Sequence, residues 1–125
     1  MKKISIALAM SVVMVLCAIV RADDHVKLTG YLVDVMCADG HMKSHPENAE
    51  SFGASHTKSC ALDDQCAGSG FGIISGGKWY VFDAKGNELA KALFEKTKKN
   101  DHISATVEGV QQDNKILVEK LTEIE

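Results

Sequence analysis

No CxxC pair, no phosphate-cradling glycine loop, no Ser–His–Asp set and no pair of carboxylates suited to acid–base catalysis stands out in the 125 residues. Without CxxC the common dithiol oxidoreductase pattern is missing, and the other absences remove the residues on which hydrolases and nucleotide enzymes depend. A polybasic block, a low-complexity segment and an internal repeat are also lacking. The formal net charge is −3, so the chain repels phosphate backbones and nucleic acid is not an expected partner. Aromatic residues are few, at 6%. Tyr31, Trp79 and Tyr80 therefore read as core side chains before they read as a stacking platform for a ligand.

The N-terminus resembles an address more than a structural element. Lys2 and Lys3 precede a run from Ile4 to Val20 that is apolar apart from Ser5, Ser11 and Cys17. Val20-Arg21-Ala22 then supplies small or aliphatic residues where a signal peptidase reads. The expectation is a signal peptide over 1–22, cleaved after Ala22, and a periplasmic or secreted product with no membrane attachment. A membrane anchor is the competing reading, because such a run is at the lower limit for spanning. Cleavage would leave residues 23–125 as a single domain with 11 basic against 17 acidic side chains, a net charge of −6.

It would also remove Cys17 and leave Cys37, Cys60 and Cys66. In an oxidising compartment two cysteines that can meet are expected to pair. Three cannot all pair within one chain, so one thiol requires another explanation.

The pattern of the remaining chain is β, helical insert, β-hairpin, α, β, β. Val26–Asp34 is rich in β-formers, with Gly30 marking a bulge or bend. Phe71–Ser75 and Lys78–Phe82 flank Gly76-Gly77, a turn that needs positive φ. Asn87 is the expected cap of a helix from Glu88 to about Thr97, with Leu89, Ala92, Leu93 and Lys96 on its packed face. Ile103–Val110 and Ile116–Ile124 alternate on either side of the polar turn Gln111–Asn114. This order predicts a mainly β fold, an OB-fold-like five-stranded barrel. The insert over 36–70 is the departure from it. Ser44-His45-Pro46-Glu47 reads there as a helix start, and a second helix is expected from Ala54 to Leu62.

The stretch "HTKSCALDDQC" (56–66) lies in this insert. On one helix His56 and Cys60 would project from the same face. With Cys37 and Cys66 they form a Cys3His set, a composition known from structural zinc sites. Met36, His41, Met42 and His45 lie close in sequence and could add ligands, which makes copper an alternative to zinc. Asp34 is a further possible ligand, or is placed to accept a hydrogen bond from a ligating histidine. Two other readings stand beside the metal. One is a disulfide staple between two of the three cysteines, in a structural or interaction domain. The other is a thiol redox protein in which His56 activates Cys60 or Cys60 and Cys66 form a couple. The expected function is a small metal-binding or ligand-binding module, its partner an unidentified small ligand or protein.

"GYLVDVMCA" (30–38), "HTKSCAL" (56–62), "CAGSGFGI" (66–73) and "KWYVFDAKGNELA" (78–90) resemble a family of small exported bacterial proteins of unknown function with OB-fold-like domains and a Cys/His-bearing insert. The resemblance spans most of 28–124. It implies that Cys37, His56, Cys60 and Cys66 belong to one constellation, and it implies no activity. Asp63 departs from the family pattern, which carries an apolar residue there.

Overall fold

Strand β1, His25–Asp34, organises the chain in a computed structural model that describes residues 24–125. The expected export segment over 1–22 lies outside those residues. The first part of β1 pairs antiparallel with β4 (Ser104–Gln112), from His25↔Val110 to Tyr31↔Ser104. Its last part pairs with β2 (Phe71–Ser75), from Tyr31↔Ile74 to Asp34↔Phe71. Gly30 sits where one partner gives way to the other. A Cβ at Gly30 would lie 1.9 Å from the Ile74 carbonyl oxygen, so only glycine lets the strand make this close crossing. The expected bend is therefore at Gly30, while the irregularity in register falls elsewhere, between Glu108 and Gly109.

Strand β3, Lys78–Phe82, returns from β2 through Gly76 and Gly77, whose φ values are +58° and +76°, the geometry that the paired glycines predict. Strand β5, Lys115–Glu123, runs antiparallel to β4 and joins β3 in parallel through Val81↔Lys115 and Phe82↔Ile116. The resulting five-stranded sheet has the closed order β1-β2-β3-β5-β4. Helices and strands hold nearly equal shares of the described residues. The class is mixed α/β rather than mainly β, because the insert is more helical than its sequence pattern suggests.

Three helical details differ from expectation. The long helix runs over Ala84–Lys96 and is capped by Asp83, whose Oδ1 accepts from the Gly86 and Val118 amides. Asn87 lies inside it and uses its side-chain oxygen to accept from the Phe71 amide at 2.8 Å. Its buried stripe is Gly86, Ala90 and Phe94, at the four-residue spacing of one helix face. Leu89 and Leu93 flank that stripe and Lys96 is exposed. Phe94, Phe71, Leu32, Ile73, Ile103 and Ile116 are nearly inaccessible and form the main core with their neighbours.

The insert is a string of short helices. Helix α1 is Val35–Ser44, followed by a 3-10 turn over Pro46–Asn48 and by α2, Ala49–Ser55. Helices α3, Lys58–Ala61, and α4, Asp64–Gly68, complete it, so that Ala84–Lys96 is α5. Pro46 opens the 3-10 turn that leads into α2, consistent with its fixed φ and missing N–H. The helix expected from Ala54 to Leu62 is broken, because His56 and Thr57 are extended, with ψ of 132° and 151°. A second apolar cluster of Val33, Ala38, Ala49 and Ile74 attaches the insert to the barrel, with Met42, Phe52 and Trp79 at its margin.

Candidate metal centre

Each of the three cysteines is the third residue after the cap of a short helix. Asp34 caps α1 and its Oδ2 accepts from the Cys37 amide at 2.9 Å. Thr57 caps α3 and its hydroxyl accepts from the Cys60 amide at 3.2 Å. Asp63 caps α4, its Oδ1 accepting from Gln65, and Cys66 follows in the same first turn. A cap fixes the backbone of the turn it closes, so three separate segments each deliver a thiol at a defined position. Asp63 has this local role.

The thiols converge. Cys37 Sγ lies 3.7 Å from Cys60 Sγ and 4.0 Å from Cys66 Sγ. One carboxylate oxygen of Asp34 completes a group whose four donor atoms all lie within 4.8 Å of one another. All three cysteines are free, and no pair is at disulfide distance, which requires about 2.05 Å. Cys37 and Cys60 are half-buried, while Cys66 is only 9% exposed.

Asp34, a secondary candidate in the sequence, is in the cluster, and His56, a primary one, is not. Asp34 is fully buried, and His56 stands behind it with Nε2 2.8 Å from Asp34 Oδ1. The extended backbone at His56–Thr57 removes the shared helix face that would have aimed the imidazole alongside Cys60. Burial by itself raises the Asp34 carboxyl. The hydrogen bonds from His56 and from the Cys37 amide outweigh it and hold the group below the usual carboxylate range. An ionised carboxylate only accepts, so His56 Nε2 carries the proton and donates it. Each Asp34 oxygen still has acceptor capacity for an ion.

Burial, and next the Asp34 charge, push the Cys37 thiol far up. The same two causes, in the same order, raise Cys66. Thiols so disfavoured as thiolates are poor nucleophiles, so in the ion-free chain Cys37 and Cys66 are not activated thiols. A cation at the centre would reverse this, since a coordinating thiol is deprotonated outright.

The remaining candidates are placed elsewhere. His41 stacks on Phe52, with ring centroids 4.1 Å apart and planes 7° from parallel. Its Nε2 is buried without a hydrogen-bond partner among the described residues. His45 is exposed beside Glu47, with Nδ1 3.6 Å from the carboxylate. Met36 is 50% exposed, and Met42 lies against the second apolar cluster. Neither His41 nor His45 belongs to the four-residue group. Trp79 donates to Asp39, Tyr31 meets His102 edge-on, and Tyr80 packs on the main core, so the three aromatics are engaged in packing. Four open clefts of about 340 to 430 Å³ are lined by none of the four cluster residues. No described helix is long and apolar enough to cross a membrane.

The signal that sets Asp34 apart from the other secondary candidates is the thrice-repeated spacing Asp34-x-x-Cys37, Thr57-x-x-Cys60 and Asp63-x-x-Cys66. Each instance is a capping residue followed three positions later by a thiol. Comparison with family models, with curated proteins and with solved structures finds no match to this chain.

Proposed function

We propose that the chain is an exported metal-binding domain in which Asp34, Cys37, Cys60 and Cys66 hold one divalent cation, zinc being the best-fitting ion. The sulfur separations of 3.7 and 4.0 Å carry this reading. Tetrahedral ligands at about 2.3 Å from zinc are themselves roughly 3.7 Å apart, so the spacing suits an ion. Three sulfurs and one oxygen are a donor set that zinc accepts readily, whereas copper(I) prefers soft ligands throughout. Met42, whose thioether could have favoured copper, faces the apolar cluster.

Four protein donors around one ion make a closed site, and closed zinc sites are structural. The proposed role is accordingly to fasten the helical insert, and the domain is a binding module rather than an enzyme. His56 acts on the ion through Asp34, orienting the carboxylate as an outer hydrogen-bond partner does. The closed strand order, with a helix between the third and fourth strands, supports the OB-like reading. Export and membership of the OB-like exported family belong to the proposal as well. Native mass spectrometry of the reduced chain tests the metal reading. One zinc per chain, lost on chelation, is expected, and a mass unchanged by zinc or chelator would overturn it.

A further inference from the structure

The metal reading uses the three thiols as a set, yet their positions are not equivalent. Cys37 is the hub, touching both other sulfurs, and its nearer neighbour is Cys60 at 3.7 Å. These two are also the more accessible thiols, since Cys66 is the one that is nearly buried. They sit on different short helices, α1 and α3, and α3 is a four-residue turn between the extended pair His56–Thr57 and the bend at Leu62–Asp63. Bringing the two sulfurs to bonding distance requires them to approach by roughly 1.7 Å.

We infer that this centre is a redox switch, in which two-electron oxidation by a peroxide joins Cys37 to Cys60 and expels the ion. The inference rests on the metal reading of the same site. In the first step one thiolate, of Cys60 or Cys37, attacks hydrogen peroxide. The O–O bond breaks, hydroxide leaves, and the sulfur becomes a sulfenic acid. In the second step the other thiolate attacks that sulfur, the S–S bond forms, and a second hydroxide leaves. Two thiolates have lost two electrons, one peroxide has gained them, and the cation departs with its charge unchanged. Asp34 and Cys66 then remain as two donors where a closed site needs four. A small dithiol reverses the sequence by thiol–disulfide exchange, restoring both thiolates for the ion. The metal-held and disulfide-held arrangements are thus two states of one site, separated by the redox poise of its surroundings.

The test uses the full chain loaded with zinc and treated with one equivalent of hydrogen peroxide. Released zinc is followed with a chromogenic chelator, and the products are digested with trypsin and an Asp-specific protease without reduction. Cleavage before Asp63 and Asp64 separates Cys60 from Cys66, so the bridge can be assigned. The expected result is about one zinc released per bridge formed, a fragment containing 59–62 linked to the Cys37 peptide, and Cys66 still open to alkylation. Adding dithiol should restore one-to-one zinc binding. Zinc that stays bound while peroxide is consumed would overturn the switch and leave the metal reading intact. So would release accompanied by sulfinic acids, by links between chains, or by a bridge that excludes Cys37 or Cys60. If the reduced chain takes up no zinc at the outset, the metal reading fails and the switch fails with it.

Discussion

The barrel and the insert are held by different means. The barrel buries Phe71, Phe94, Leu32, Ile73, Ile103 and Ile116 almost completely. Within 35–70 the buried residues are Ala38, Ala49, Gly53, His56, Ala61, Cys66 and Gly70, and none of these is a large apolar side chain. Burying a Leu, Ile or Phe is worth about 1.5–3 kcal/mol, and an alanine contributes much less. What the insert has instead is three capped turns, a buried Asp–His hydrogen bond and a ring of donor atoms. The contrast teaches that one chain can combine a region stabilised by burial of large apolar side chains with a region built on small residues, caps and a cluster of polar donors.

Chelation should separate the two most widely. In amide hydrogen exchange on the zinc-loaded chain, removal of the ion is expected to abolish protection across 35–70 while β4 and β5 keep theirs. An equal loss in both regions would break the comparison. Phe94→Ala should act on the other side of it, costing about 3–5 kcal/mol through the cavity it leaves. In denaturant unfolding that cost should be the same with and without chelator, since Phe94 lies in the main core.

His56→Ala sharpens the assignment of roles. A ligand's removal would abolish stoichiometric binding, whereas loss of an orienting partner typically weakens affinity 10–100-fold. The second outcome is expected by zinc titration against a competing chelator, because the imidazole stands 2.8 Å from Asp34 rather than among the sulfurs. Removal of Cys66, by contrast, should end one-to-one binding.

The shallowest effect is on pH dependence. In the ion-free chain the folded Cys37 and Cys66 thiols are raised by burial and by the Asp34 charge, while unfolded thiols ionise near about 8.5. Above that pH the unfolded chain gives up protons that the folded chain keeps, so stability falls as pH rises. The zinc-loaded chain holds thiolates already, and its stability should rise towards about pH 8.5 and then level off. Asp34 acts at the other end, because its lowered folded value makes its contribution complete above about pH 4. That contribution is lost as pH falls through the folded value. Thermal midpoints measured with and without chelator from pH 3 to 10 should show the two slopes of opposite sign.

The strands were legible because alternation and paired glycines are local signals. The β1, β2 and β3 segments, the Gly76–Gly77 turn and the β4–β5 pair all lie close to where the pattern puts them. The start of α5 is ambiguous in the sequence because Asp83 and Asn87 are both good caps. Only the tertiary contacts of Asn87 with Phe71 and of Asp83 with Val118 decide between them. The thiols of the site were readable from cysteine number and spacing. The absence of His56 from the cluster was not, because it follows from the extended backbone at His56–Thr57, and nothing in the spacing of His56 and Cys60 announces that break. The cap-x-x-Cys repeat is visible in the sequence, but it gains meaning only once three short helices are known to converge.

One further property follows from the pairing Asp34↔Phe71 and from the Val35 amide donating to the Gly70 carbonyl at 2.9 Å. The chain leaves the barrel and re-enters it at the same place, so residues 35–70 form an excursion whose two ends already touch as in a hairpin. A tight turn between Asp34 and Phe71 would satisfy the same strand register with the whole cysteine-bearing segment absent. The carboxylate at that doorway, Asp34, is the one member of the cluster that a barrel strand itself contributes.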